Sequence, residues 1–170
     1  MTIAPSLKAF LDTIAVSQGT SREDITQNDG YDVIVTGEVE GSNGCLMRHE
    51  EIFTDYSDHP FASGRPAVLV REGPPPLYST ASGRYQLEFR WWPAYKTMLH
   101  LPDFTPQSQD AVAIEQMKER GAVALIAAGD IQGAITACAS IWASFPGNDY
   151  GQGGNTMGAL LEQYQTFVNG

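Results

Sequence analysis

Apolar residues recur at helical spacing near both ends of this 170-residue chain, and the stretch between them lacks that period. From Leu7 to Ala15 they follow the i, i+3, i+4, i+7 series of one helix face. Gln18 is the next member of the series, and Gly19 provides a helix stop. On spacing alone Gln18 is an ordinary solvated or capping residue, and a functional side chain held at the edge of the core is the alternative.

The middle of the chain, roughly residues 30–83, has the composition of strands and loops. "GYDVIVTGEV" and "EIFTDYS" are typical of strands, and "EGSNGCLMRHE" between them is typical of a long hairpin connection or an inserted loop. The segments "HPFASGRP" and "REGPPPLYSTASG" are so rich in Pro, Gly and Ser that we expect irregular structure there.

Helical periods return from "RYQLEFRWW" onward, where Pro93 is expected to split the helix. Thr105 and Pro106 predict the N-cap and N1 positions of a helix that Gly121 stops. Asp130 caps the next helix, and "TMGALLEQYQTFV" forms the last. The order of helix, small sheet and several helices predicts an α+β fold in one domain of residues 1–170. Two apolar stripes are expected in the core: Ile131, Ala134, Ile135, Cys138, Ala139 and Trp142; and Met157, Leu160, Leu161, Tyr164 and Val168.

The charge balance argues against two classes of partner. Twenty acidic and ten basic residues give a net charge of -10, which opposes binding to nucleic acid and to anionic lipid. No apolar run approaches the roughly 20 residues of a membrane helix. The N-terminus lacks the pattern of a secretory leader, so we expect the chain to stay in the compartment where it is made.

Neither the cysteines nor the acidic and histidine residues predict a metal or a cofactor. Cys138 lies on an apolar stripe as a buried thiol, and we expect no disulfide with Cys45. Alternation along a strand would scatter a cluster in "RHEEIFTDYSDHP" over both faces, so we expect no metal site there. That cluster comprises His49, Glu50, Glu51, Asp55, Asp58 and His59.

Other catalytic motifs are also missing. "YGQGGNTMG" follows a helix and not a strand, which favours a surface flap over a phosphate loop. The chain has no G-x-S-x-G nucleophile motif. Aromatic and amide side chains are instead dense in the turns, a combination that suits sugar rings. Three tryptophans are expected in the core and not in a site: Trp91, Trp92 and Trp142.

Several segments, in order, resemble the lambda-type phage endolysins, which are lytic transglycosylases with a lysozyme-like fold. They are "SQGT", "GYDVIVTGE", "FTDYSDHP", "STASGRYQLEFRWWPAY", "SQDAVAIEQMKERGA" and "IWASFPGNDYGQ". The resemblance covers nearly the whole chain, with an insertion around residues 39–51 and Pro93 as departures. It implies a helical lobe, a small antiparallel sheet and a substrate cleft between them.

The same resemblance places Gln18 at the family's catalytic glutamate, because the family's "SEGT" reads "SQGT" here. We interpret the chain as an inactive form of the enzyme, engineered for substrate trapping. A natural murein-binding protein and a hydrolysing lysozyme that uses Asp32 are the alternatives. The candidates for lining the cleft are Asp32, Tyr56, Gln86 and Tyr150.

The resemblance also implies the partners. We expect a monomer that binds the glycan strands of peptidoglycan, with no cofactor, no nucleic acid and no stable membrane association. It would accumulate in the host cytoplasm and reach the cell wall through a separate membrane-permeabilising protein.

Overall fold

The computed structural model describes residues 3–40, 46–147 and 154–170. Two compact units divide the chain, one formed by residues 1–19 with 110–170 and the other by residues 20–109. The predicted strand and loop region falls within the second unit. In chain order the elements are α1 (Pro5–Gln18), β1 (Val33–Glu40), β2 (Leu46–Ile52), β3 (Val68–Arg71), β4 (Leu77–Ser79), a 3₁₀ turn (Phe89–Trp91), α2 (Trp92–Met98), α3 (Pro106–Glu119), α4 (Ala122–Ala127), α5 (Ile131–Cys138) and α6 (Met157–Asn169).

The first unit is helical and packs around aromatic side chains. Phe10 on α1 has no exposed surface, and its ring centroid lies 6.2 Å from that of Phe145 and 6.4 Å from that of Tyr164. Edge-to-face pairs of this kind add attraction beyond the area they bury. The predicted apolar face of α1 is therefore the face that packs against α6.

Helix α5 begins as predicted and ends earlier. The Asp130 carboxylate accepts a hydrogen bond from the backbone N–H of Gly133 at 2.8 Å, which caps the helix. The last helical residue is Cys138, although the rest of the predicted stripe, Ala139 and Trp142, is also buried. Cys138 is a free thiol, as predicted, and burial raises its pKa to about 12. Cys45 lies outside the described residues.

Helix α3 begins at Pro106, directly after Thr105, and ends at Glu119, before Gly121, as predicted. The neighbouring helices depart from prediction in two details. Gly121, predicted as a stop, has φ 72° and leads directly into the unpredicted helix α4. Helix α6 has its predicted position, but Val168 is 48% exposed because it lies in the last turn, beyond the buried Leu160 and Tyr164.

The second unit holds two antiparallel sheets of two strands each. Strand β1 pairs with β2, and β3 pairs with β4. The Val35 N–H donates to the Ala81 carbonyl at 2.9 Å, and the Gly83 N–H donates to the Val33 carbonyl at 2.8 Å. These bonds fix the segment around residues 81–83 beside β1.

The second predicted strand was misplaced. Of "EIFTDYS", only Glu51 and Ile52 are in a strand, and β2 lies mostly in the segment predicted as a connection. Asp55 explains the early end, because its carboxylate accepts from the Ser57 N–H at 2.9 Å in a turn that competes with extended structure. Strand β4 also lies in a segment predicted to be irregular, whereas β3 lies between the two such segments and shares only Arg71 with the second.

The segment "RYQLEFRWW" is not a helix broken by proline. Gln86 has φ 53° in a tight turn, and Ser82 pairs with Leu87 in an isolated bridge. Helix α2 starts only at Trp92, because Pro93 fits the first turn, where its missing N–H costs nothing. Trp92 is buried as predicted, whereas Trp91 is 51% exposed, so its prediction as a core residue was wrong.

His59 is a fully packed core residue of the second unit. Its ring centroid lies 4.7 Å from that of Phe104 and 5.3 Å from that of Phe89. Nδ1 accepts from the Phe61 N–H at 3.3 Å, and Nε2 lies 3.0 Å from the Leu87 carbonyl, which it can approach only as a donor. These contacts fix the neutral tautomer, and burial lowers the pKa of His59.

We therefore predict that acidification through the histidine range destabilises the protein. The stabilisation from neutral His59 is complete above its ordinary pKa of 6.5 and is lost as the pH falls through the lower folded-state value. Urea unfolding at a series of pH values should show this decline. The His59→Gln variant should lose it, and the exposed His100→Asn control should keep it. An identical slope in all three proteins would contradict the prediction.

Candidate functional site

The end of α1 fixes the position of Gln18. Gly19 adopts a left-handed conformation, φ 71°, and its N–H donates to carbonyls of the last turn. Gln18 is therefore the final helical residue, and its side chain is half-buried. Because Gln18 still belongs to the helix, the direction of its side chain is fixed, as a functional site requires.

A serine from a distant part of the chain meets Gln18. Gln18 Nε2 donates to Ser144 Oγ at 2.5 Å, and Ser144 Oγ lies 2.9 Å from Ser17 Oγ. The Ser17 hydroxyl in turn donates to the Ile14 carbonyl at 2.7 Å. The polar end of the apolar stripe is thus tied into a hydrogen-bonded chain, and Gln18 is not merely solvated.

Asn155 holds the backbone around this chain. Its N–H donates to the Ser144 carbonyl at 2.9 Å, and its side-chain amide donates to the carbonyls of Ser17 and Ser144, both at 3.3 Å. A Cβ at Gly154 would approach the Ser144 carbonyl to 2.9 Å, so only glycine fits. Tyr150, the predicted flap residue, lies outside the described residues.

Neither Ser144 nor Asn155 was predicted from the sequence as a site residue. Ser144 belongs to "IWASFPG", a segment that contributes to the family resemblance, and that was the only available signal. No spacing rule joins residues 18 and 144, because their contact spans 126 positions of the chain.

In the second unit, Asp32 is buried and engaged at both carboxylate oxygens. Oδ1 accepts from the Thr26 hydroxyl, and Oδ2 accepts from the Gln27 N–H at 2.9 Å. Thr26 Oγ1 also accepts from the N–H groups of Asn28 and Gly30, at 3.1 and 2.7 Å. Asp32 therefore holds the loop of residues 26–30 in place. Its role in lining a cleft stays a prediction.

Tyr56 lies at the same loop. Its hydroxyl accepts from Asn28 Nδ2 at 2.7 Å, and its ring centroid lies 5.1 Å from that of Phe53. Burial, opposed by the Asn28 hydrogen bond and reinforced by the negative charge of Asp32, raises the pKa of Tyr56. A neutral phenol with a partly exposed ring suits a sugar face better than an anion would.

Gln86 occupies a different turn of the second unit. Its side-chain amide donates to the Gly83 carbonyl at 3.0 Å, across the turn that its positive φ creates. The structure thus brings Asp32 and Tyr56 to one loop and places Gln86 on another, while Gln18 belongs to the first unit.

The described residues offer neither a metal site nor a membrane-spanning helix. They contain no group of three His, Cys, Asp or Glu residues placed to hold a metal ion. Within the same residues, no helix has both the length and the apolar character to cross a membrane.

Nearly the whole chain has the sequence pattern of one known family. The sequence model described as Endolysin matches residues 8–169. The chain belongs to the endolysin family. It is 51% identical over 162 residues to an endolysin of Escherichia phage P2, covering 95% of this chain and 92% of that one. An endolysin of Escherichia phage lambda is 48% identical over 159 residues, covering 93% and 88%.

Solved structures of an endolysin relative share the fold. The bacteriophage lambda lysozyme complexed with a chitohexasaccharide matches with a TM-score of 0.82 and 46% identity, covering 98% of this chain and 96% of that one. Another structure of lysozyme from bacteriophage lambda matches with a TM-score of 0.71 and 44% identity, covering 99% and 93%. The predicted α+β, lysozyme-like fold is confirmed.

Because Asp32 accepts these hydrogen bonds in a buried position, its substitution should destabilise the protein. Asp32→Asn keeps the shape of the side chain but replaces an acceptor with a donor, which leaves a buried partner unsatisfied. We expect it to lower the free energy of unfolding by about 1–3 kcal/mol in urea titrations. Asp24→Asn, at an exposed carboxylate paired with Arg22, is the control and should change little. Equal effects of the two substitutions would argue against a structural role of Asp32.

Proposed function

We propose that this endolysin is of the lytic transglycosylase type and cleaves the MurNAc–GlcNAc β-1,4 bond of peptidoglycan, forming 1,6-anhydro-MurNAc. We further propose that the chain is an inactive form because Gln18 occupies the position of the catalytic glutamate. The observation that carries the proposal is the placement of Gln18. It ends α1 in "SQGT" and is held by Ser144, in a chain that belongs to the endolysin family.

One carboxyl group is enough for this reaction. A glutamic acid protonates the glycosidic oxygen as the bond to C1 breaks. The resulting glutamate takes the proton from the C6 hydroxyl of MurNAc, whose oxygen attacks C1 and closes the anhydro ring. The internal hydroxyl replaces the water that a second carboxylate positions in a hydrolase.

Glutamine has the shape of glutamic acid without its chemistry. Its amide neither releases nor accepts a proton near neutral pH. The Gln18 form should therefore bind glycan and not cleave it.

For substrate binding we propose Tyr56, Gln86, Tyr150 and Asp32, with Asp32 acting through the loop that it holds. The relative whose structure contains a chitohexasaccharide supports a glycan as the ligand, since this chain is 46% identical to it. Tyr56 offers a partly exposed aromatic face, and the Gln86 amide offers a donor and an acceptor.

A hydrolysing lysozyme that uses Asp32 is less well supported. A general base must reach the water that it activates, whereas Asp32 is only 3% exposed. Both of its oxygens are also turned toward groups of the protein, the Thr26 hydroxyl and the Gln27 N–H. These contacts favour a reaction that needs no second carboxylate.

The other alternative is a natural murein-binding protein without activity. We propose an engineered substitution instead, because Ser17, Ser144 and Asn155 keep an ordered polar network around position 18. The codon for position 18 in the source gene distinguishes the two origins. A glutamine codon there would contradict engineering.

We expect Gln18→Glu to create activity on purified peptidoglycan. General acid–base groups contribute on the order of 10²–10⁴ in rate, so clearing of a murein suspension should rise by at least that factor. Gln132→Glu, the same substitution at an exposed glutamine of α5, is the matched control and should stay inactive. A folded Gln18→Glu variant that binds murein oligosaccharides without clearing the suspension would refute the catalytic assignment.

The products identify the type of reaction. A transglycosylase should release anhydro-muropeptides, which mass spectrometry finds lighter by one water than the products of hydrolysis. Reducing-end products from the Gln18→Glu variant would favour the hydrolysing alternative.

We propose accumulation in the host cytoplasm and access to the wall through a separate membrane-permeabilising protein. Cells that express the Gln18→Glu variant alone should therefore remain intact, and coexpression of a permeabilising protein should lyse them. Culture turbidity measures both outcomes. Rapid lysis by the variant alone would reveal a route of export.

A further inference from the structure

The hydrogen-bonded chain at the end of α1 has a definite direction. Gln18 Nε2 donates to Ser144 Oγ at 2.5 Å, Ser144 Oγ lies 2.9 Å from Ser17 Oγ, and Ser17 Oγ donates to the Ile14 carbonyl at 2.7 Å. A serine hydroxyl has one proton and two acceptor lone pairs. Counting these protons determines the donor in the contact between the two serines.

Ser17 gives its only proton to the Ile14 carbonyl, which has no proton to offer in return. The proton between the two serines must then come from Ser144. With its proton directed at Ser17, Ser144 presents only lone pairs to position 18. All three hydrogen bonds run from position 18 toward the backbone of α1, an arrangement in which each bond polarises the next.

We infer that Ser144 is a positioning residue for the proton donor: its hydroxyl oxygen accepts a hydrogen bond from a carboxylic acid at position 18 and holds that acid in the protonated form. This inference rests on the proposed function. The protonated acid continues the chain without rearrangement. An ionised carboxylate has no proton to give, and it can bind Ser144 only if the Ser144 proton turns away from Ser17.

Turning that proton costs the hydrogen bond to Ser17, so the network stabilises the neutral acid relative to the anion and raises its pKa. A general acid must be protonated before the reaction begins, and Ser144 secures this state. Ser144 also fixes the direction of the acid group through a backbone that Asn155 holds at the Ser144 carbonyl.

Charged groups on the described elements that pack against the end of α1 do not offer a competing explanation. Helices α4 and α6 pack against α1, and α4 has no ionisable side chain. The segments 139–147 and 154–156, which carry Ser144 and Asn155, have none either. The ionisable residues of α1 and α6 are Lys8 and Asp12, which form an ion pair 2.5 Å long, and Glu162 and Tyr164.

The test compares Gln18→Glu with Gln18→Glu/Ser144→Ala. The pKa of the new carboxyl is followed by ¹³C NMR, and kcat and KM on soluble murein fragments are measured across pH. Removing the acceptor should lower the carboxyl pKa by about one unit. The alkaline limb of the kcat–pH profile should move to lower pH by the same amount. At pH values above this limb kcat should therefore fall about tenfold, while KM stays constant.

Two further variants separate this role from general packing. Gln18→Glu/Ser144→Thr retains a hydroxyl and should restore the pKa and the pH profile. Gln18→Glu/Ser17→Ala frees the Ser144 proton to turn toward the carboxylate, so it should also lower the carboxyl pKa. This variant tests the proton count even if Ser144→Ala does not fold. The control is Ser140→Ala in the same background, at an exposed serine of the same segment, and it should change neither quantity.

The outcomes distinguish this inference from the proposed function. An inactive Gln18→Glu variant overturns the proposed function and, with it, the role of Ser144 in the reaction. An active Gln18→Glu variant whose carboxyl pKa and alkaline limb are unchanged by Ser144→Ala or by Ser17→Ala overturns the inference alone.

Discussion

The arrangement of the second unit depends on one buried amide, the side chain of Gln109. Its Oε1 accepts from the Arg84 N–H at 2.9 Å, and its Nε2 donates to the carbonyls of Tyr31 and Phe104, both at 2.9 Å. Three segments that have little regular structure are thereby joined at one point. A Cβ on Gly83 would collide with this amide, so the glycine is required there, where φ is 79°. Buried polar groups specify a structure when every member has its partner.

The candidate site residues are positioned in the same manner, by side chains that bind distant backbone groups and hydroxyls. Arg84, whose backbone Gln109 holds, forms an ion pair with Asp29 at 2.6 Å and places its guanidinium 5.1 Å from the Tyr31 ring. Asp29 belongs to the loop that Asp32 also holds. Loop residues can be as well ordered as helical ones when such contacts replace the missing ladder of backbone hydrogen bonds.

The sequence was sufficient where local rules decide the structure and insufficient where distant contacts decide it. Helices α1, α5 and α6 were predictable because their periods and stops lie within one segment. Strand β2 was misplaced because the turn at Asp55, and not the apolar pattern, ends it. Trp91 and Trp92 are adjacent residues of the same type, yet Trp91 is 51% exposed and Trp92 is 1% exposed. The local difference between them is that α2 starts at Trp92. For the site, Gln18 could be found from its motif, whereas Ser144 and Asn155 reach it only through folding.

Under the proposed function, the side-chain amide of Gln18 also explains why the hydrogen-bond network around position 18 is intact. An amide N–H directed at Ser144 Oγ occupies the place that the O–H of a protonated glutamic acid would take, so Gln18 imitates the acid before proton transfer and not the anion after it. The Gln18 form should therefore preserve the state in which the enzyme first meets its substrate. An alanine at this position would remove the donor and leave Ser144 and Ser17 without the group that begins their chain. Substitution by glutamine separates binding from proton transfer, because the geometry of the donor stays while its acidity is lost.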